Sequence, residues 1–179
     1  MENTIMAAWN LDKAHSEIEF KVKHMMISNV KGYFHDFDVT VNGSAEDLTQ
    51  AQVDVEIKTA SVNTKSESRD EHLRGADFFN ADAYPIIRFT TTEIKKIDDD
   101  EFELTGDLTI KDVTRPASFI AEFGGLAKDP WGNQKVGYTV NGKINRQEFG
   151  LTWNAALETG GVMVSEDIKF YADVQFILS

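Results

Sequence analysis

The sequence predicts an all-β protein of about eight antiparallel strands with one short helical segment, and three observations predict it. Apolar residues recur at every second position through eight separate segments, the signature of strands with one buried and one solvated face. Turn residues separate these segments, and no helices alternate with them. Such a pattern folds as an antiparallel sandwich or as a closed barrel, and closure removes exposed strand edges.

The elements follow in chain order. In Glu17 to His24, Ile18, Phe20 and Val22 face one way while Glu17, Glu19, Lys21 and Lys23 face the other, whereas a helix would scatter this set around its axis. Phe37, Val39 and Val41 alternate with Asp36, Asp38 and Thr40, and the run closes on Asn42-Gly43, a strong hairpin signal. Val53, Val55 and Ile57 repeat the design. From about Thr64 to Asn80 the period breaks, and Glu67, Arg69, Asp70, Glu71, His72 and Leu73 read as the one helical stretch. Strands resume over 86–96, turn at Asp98-Asp99-Asp100 and continue over 102–110. Phe119, Ala121 and Phe123 mark the next strand, before the turn Asp129-Pro130-Trp131-Gly132-Asn133. Val136, Tyr138, Val140 and Ile144 share a face, although Asn141-Gly142 is also a hairpin-tip signal and periodicity does not choose. The last run is the clearest, with Ile168, Phe170, Ala172, Val174, Phe176 and Leu178 on one face.

At 179 residues and 41% hydrophobic content, with no linker-like stretch, the chain reads as one domain over 1–179. A net charge of -12 argues against nucleic acid and anionic membranes as partners, because both would repel it. No apolar run approaches the roughly 20 residues that span a bilayer. The opening residues lack the basic and apolar regions of a secretory signal, and there is no cysteine; the expectation is a cytoplasmic protein.

Inward positions are mostly large, but Ala121, Ala172 and Gly142 contribute little volume. A barrel of this size either fills its interior or keeps a cavity for one ligand, and small residues fit both a cavity and the taper of a filled barrel. Chemistry is harder to find. The histidines, His15, His24, His35 and His72, show no HExxH and no close pair. His24 shares the face of Phe20 and Val22, and His35 that of Phe37, so a hairpin would bring both inward; two ligands fall short of a zinc site, and no metal is expected. His15 and Ser16 are strand neighbours and point to opposite faces, so they form no local nucleophile and base pair. The acidic residues sit mainly in turns and on solvated faces.

Several motifs together resemble a known family. Trp9-x-Leu-Asp12-x-x-His15-Ser16-x-Ile18-x-Phe20-x-Val22-x-His24 and Val30-x-Gly32-x-Phe34 resemble the opening of the YceI-like family, lipocalin-like proteins that bind polyisoprenoids. Arg69-Asp70-x-His72-Leu73, Asp77-Phe78-Phe79, Pro85-x-x-x-Phe89, Gly106-x-Leu108-Thr109, Thr114-x-Pro116 and Gly142-x-Ile144-x-Arg146-x-x-Phe149-Gly150 follow in the family's order. The resemblance implies an extended eight-stranded antiparallel lipocalin-like barrel with a helix near one end. It also implies an apolar tunnel for an isoprenoid-quinone-like or fatty-acyl chain, and frequent homodimers. It favours a continuous strand through Gly142. Many relatives are exported, whereas this sequence lacks the signal.

Combined with the inward faces, the resemblance implies a tunnel lined by Ile18, Phe20, Val22, Phe37, Val39, Val53, Val55, Ile57, Phe78, Phe79, Phe89, Phe119, Phe123, Tyr138, Ile168, Phe170 and Phe176. His24, His35, Arg69 and Arg146 are the candidate polar contacts near an opening. The expected action is storage or transport of a long apolar lipid by burial, each methylene contributing about 0.8 kcal/mol before ordering costs. No catalytic residue, cofactor or metal is expected. Two rivals are a lipid-modifying enzyme using His24 or His35 as acid or base, and a ligand-free structural or stress-response module with a filled barrel.

Overall fold

The computed structural model describes residues 8–24, 27–43, 47–154 and 164–178. The strands are β1 (Trp9–Leu11), β2 (Glu17–His24), β3 (Ser28–Phe34), β4 (Phe37–Asn42), β5 (Gln52–Lys58), β6 (Val62–Asn63), β7 (Ile86–Lys96), β8 (Glu101–Ile110), β9 (Val113–Lys128), β10 (Gln134–Asn145) and β11 (Asp167–Leu178), with the helix α1 (Glu67–Arg74) between β6 and β7. Every strand pairing is antiparallel, and the order across the sheet is β4-β5-β7-β8-β9-β10-β11-β2-β3-β6, with β1 on the far end of β11. No helix among the described residues is long and apolar enough to cross a membrane.

The sheet curls until its β4 edge faces β1. There the Trp9 indole N–H donates to the Gly43 carbonyl at 3.1 Å, which fastens the two without a ladder. Strands as long as β9, at 16 residues, follow this curvature because register shifts interrupt two ladders, between Gly137 and Tyr138 and between Thr91 and Glu93. Apolar side chains of alternate positions point into the curl and form one buried cluster.

The predicted lipocalin-like antiparallel barrel is present, but with eleven strands among the described residues rather than eight. The additional ones are β1, β3 and β6. β1 and β6 are three and two residues long, too short to show a period. β3 hid its period because Gly32 occupies its middle inward position, where a Cβ would come within 2.2 Å of Phe20 Cζ. The Phe20 ring of the neighbouring strand supplies the missing bulk.

Two further expectations change, and one alternative left open by periodicity is decided as the resemblance implies. Asn42-Gly43 does not form a two-residue hairpin: Asn42 pairs with Gln52, and the connection from Gly43 to Ala51 contains a turn of 3-10 helix at Leu48–Gln50. That turn buries Leu48 against the core, so an apolar anchor overrides the local turn signal. The helical stretch is shorter than 64–80. Thr64 precedes it and donates from both its N–H and its hydroxyl to Asp70, while beyond Gly75 the chain turns back, with Phe79 N–H donating to the Leu73 carbonyl. Asn141-Gly142 is interior to β10 and forms no hairpin tip.

Candidate functional site

Two neighbouring rows of side chains across the sheet create the interior space. One row runs in register through Phe102, Ala121, Val140, Ala172, Ile18 and Phe34. Its two alanines leave room where larger residues would close the curl. A cavity of about 150 Å³ lies over them. Of the predicted lining, Ile18, Val39, Val53, Val55, Ile57, Phe89, Phe119, Tyr138, Phe170 and Phe176 face it. Trp9, Val41, Leu48, Ile87, Leu104, Leu108, Ala121, Val140, Ala172 and Val174 complete the wall. Most of these continue strand faces already legible as apolar, so periodicity alone reaches them. Trp9 is the floor, stacked on Tyr138 at 6.4 Å and edge-on to Phe176 at 5.4 Å. Burial pushes the Tyr138 phenol up to about 12, so it stays neutral at ordinary pH.

The next row, two residues along each strand, sets two phenylalanines between two glycines. Phe170 pairs with Gly142 on one side and Phe20 on the other, and Phe20 pairs with Gly32. The Phe119 ring lies over Gly142, where a Cβ would stand 2.4 Å from its Cδ1. Aromatic contacts extend this row into a waist: Phe89 meets Phe119 at 5.0 Å, Phe119 meets Phe170 at 6.4 Å, Phe20 meets Phe34 at 5.3 Å, and Phe34 meets Phe79 at 5.8 Å.

Beyond the waist lies a second cavity of about 150 Å³. Phe20, Val22, Phe78, Phe79, Ile168 and Phe170 of the predicted lining face it, together with His24, Arg69 and Arg146. The interior is therefore two chambers on one axis rather than a single open tunnel. The outer chamber carries the polar groups. Arg146 is 1% exposed and donates, among the described residues, to carbonyls: Nε to Ser165 at 2.8 Å, Nη1 to Leu151 at 2.5 Å and to Trp153 at 2.9 Å, and Nη2 to Val164 at 3.3 Å. Burial lowers its pKa, with the charge of Glu166 opposing; a guanidinium nonetheless remains charged in a protein. Arg69 donates to the hydroxyl of Thr64 at 2.8 Å and to its carbonyl at 3.0 Å.

The rim includes two residues that periodicity missed. His72, read from sequence as part of the helical stretch, packs edge-on to Phe78 at 5.1 Å and Trp153 at 4.8 Å, with its Nε2 2.9 Å from Asp77 Oδ2. Phe78 and Trp153 close the triangle at 5.4 Å.

Three predicted residues face neither chamber. Phe37 is buried, but it and His35 border a separate polar groove with His15, Glu17, Tyr33 and Asp173. Phe34 and Phe37 both turn inward although three positions apart, so the turn between β3 and β4 breaks the alternation and leaves His35 exposed beside Tyr33. His24 and His35 thus do not converge. Phe123 packs against Tyr138 at 5.7 Å outside the inner cavity, where the Gly137/Tyr138 irregularity re-aims the strand. In that polar groove's neighbourhood Asp12 accepts from Lys135 Nζ at 2.8 Å and lies 2.9 Å from His15 Nδ1, contacts that hold its carboxyl below the usual carboxylate range. Ser16 donates to the Asp12 carbonyl and accepts from the Gln175 N–H. Its hydroxyl is committed to the backbone. Among the described residues no three His, Asp or Glu side chains converge on a metal-sized site.

Comparison with known proteins gives consistent matches over the whole barrel. The model of the YceI-like domain matches residues 9–176. A UPF0312 protein of Staphylococcus aureus is 43% identical over 175 residues, covering 97% of this chain and 99% of that protein. Among solved structures, the YceI protein of Campylobacter jejuni is 38% identical with a TM-score of 0.74, covering 99% of this chain and 98% of that one. BcnA of Burkholderia cenocepacia shares the fold at a TM-score of 0.81 and 19% identity, over 93% of this chain and 99% of its own. A polyisoprenoid-binding domain from Saccharophagus degradans does so at 0.71 and 15%, over 97% and 99%.

Proposed function

This chain belongs to the YceI-like domain family, and on that ground we propose that it binds a long-chain apolar lipid inside the barrel and stores or transports it. The observation that carries the reading is the inner chamber, whose wall is aliphatic and aromatic with no charged side chain. Such a wall rewards burial of hydrocarbon and penalises any polar group that enters it. The likeness to a domain named for polyisoprenoid binding supports the same choice of ligand, as does the floor built from Trp9, Tyr138 and Phe176.

The tail lies in the inner chamber and the polar end in the outer one. There Arg69 and His24 offer polar groups, and Arg146, a buried cation whose N–H groups are held by carbonyls, contributes positive charge. An anionic or strongly dipolar head group is the natural complement of such a charge. Isoprenoid quinones, polyprenyl chains and fatty-acyl chains all have the required long tail. Burial rather than catalysis is the action proposed, supported by the family of binding proteins that the chain belongs to and by the likeness to a polyisoprenoid-binding domain.

Each chamber is as large as an engineered cavity that takes up benzene, so a long chain occupies both and displaces the aromatic waist. The test is extraction of the purified protein with organic solvent and mass spectrometry of the extract. One long-chain lipid per chain is expected. Blank extracts after expression in several hosts, together with no binding of added prenyl alcohols or fatty acids, would overturn the proposal.

A further inference from the structure

We propose that Phe170 sets the chain length that the barrel accepts, acting as a movable ring between the two chambers; this rests on the carrier reading above. Among the described residues, Phe170 is the one common to both cavity walls. Its register neighbours on the two sides are Gly142 and Phe20, so on the Gly142 flank it meets the ring of Phe119, seated over that glycine, at a centroid distance of 6.4 Å, and no side chain of its own register neighbour.

The other rings of the same row are seated. Phe20 lies over Gly32 and Phe119 over Gly142, each so close to the backbone that a methyl group would collide with it. Phe170 has no such seat. It is half-buried where Phe20 is fully buried, and its aromatic contact, to Phe119 at 6.4 Å, is longer than the contacts that Phe20 and Phe119 make to Phe34 and Phe89. A ring with this freedom moves by changing rotamer, whereas its neighbours move only with the backbone.

The consequence is a break in length dependence. A chain short enough for one chamber gains affinity with each methylene, by about fourfold for an ideal apolar site. The gain stalls where the chain end meets Phe170, and it resumes only for chains long enough to hold the ring aside and fill the second chamber.

Calorimetric titration of the full-length protein with straight-chain alkyl carboxylates of about six to eighteen carbons tests this. For the wild type, affinity against length is expected to rise, flatten and rise again. In Phe170→Ala the flat region disappears. In Phe170→Trp the flat region widens, and the ratio of long-chain to short-chain affinity falls at least tenfold. Phe170→Leu, which keeps most of the apolar bulk, narrows the flat region and guards against a misfolded alanine variant; circular dichroism and thermal melts confirm the fold of each. Identical length profiles in all four proteins would overturn the role of Phe170 and leave the carrier reading intact. No binding of any length by any of them would overturn both.

Discussion

Filling the inner chamber from its own wall should make the protein more stable and less able to bind, and Ala172→Leu is the substitution that does so. Ala172 is flanked in register by Val140 and Ile18, and its methyl group borders the 150 Å³ cavity. Leucine adds three carbons, which at about 0.8 kcal/mol each set an upper limit of about 2.4 kcal/mol. The cavity supplies an independent ceiling: at about 24 cal/mol per Å³ its entire volume is worth about 3.6 kcal/mol. Imperfect fit subtracts from both figures. The expected net gain is therefore about 1 to 2 kcal/mol, or about 2 to 8 °C in Tm for a chain of this size. Differential scanning calorimetry reads the stability, and titration with a long-chain carboxylate reads the binding, which should weaken at least tenfold. A variant that melts several degrees lower and still binds normally would mean that this space is already filled, and the reasoning from the alanine row would fail.

Two further outcomes test the geometry. Gly142→Ala places a methyl group against the Phe119 ring and should cost about 1 to 3 kcal/mol of stability by urea unfolding. Adding Phe119→Leu should recover part of that loss, and an additive double variant would show that the ring is not seated on the glycine. The Tyr138 phenol ionises at about 12 when folded, against an ordinary value of 10.0. Because the unfolded chain loses this proton first, Tyr138 favours folding fully below pH 10, and that contribution is lost as pH rises from 10 to 12. Stability curves of the wild type should fall more steeply over that window than those of Tyr138→Phe; superimposable curves would contradict the assigned burial.

Individual strands show what made the reading from sequence succeed or fail. β11 alternates over twelve residues, long enough for the period to be unmistakable, and its face is legible directly. β3 has only Val30 and Phe34 to mark its face, because Gly32 gives up its side-chain position to a ring from β2. The candidate site divides the same way. Ile18, Val39, Val55, Phe89 and Phe176 reach the inner cavity because they continue an alternation, whereas His35 lies in the turn that breaks it, and Phe37, on the face of Val39 but at the end of β4, borders the polar groove instead.

The sequence by itself determined which face of each long strand is apolar, and hence that the interior is a hydrocarbon-like space. That information is local: with side chains pointing alternately to opposite faces, every second residue decides the matter without reference to any other strand. Only the tertiary structure decided that this space has two chambers. The waist depends on Phe20 meeting Phe170 from the opposite end of the chain, and on Gly32 and Gly142 lying beneath the rings of other strands. Register between distant strands is set by the packing of the whole sheet, and no single segment carries it. For the same reason Arg146 reads in sequence as an isolated cation after a strand, while the folded chain surrounds it with the carbonyls of residues 151, 153, 164 and 165.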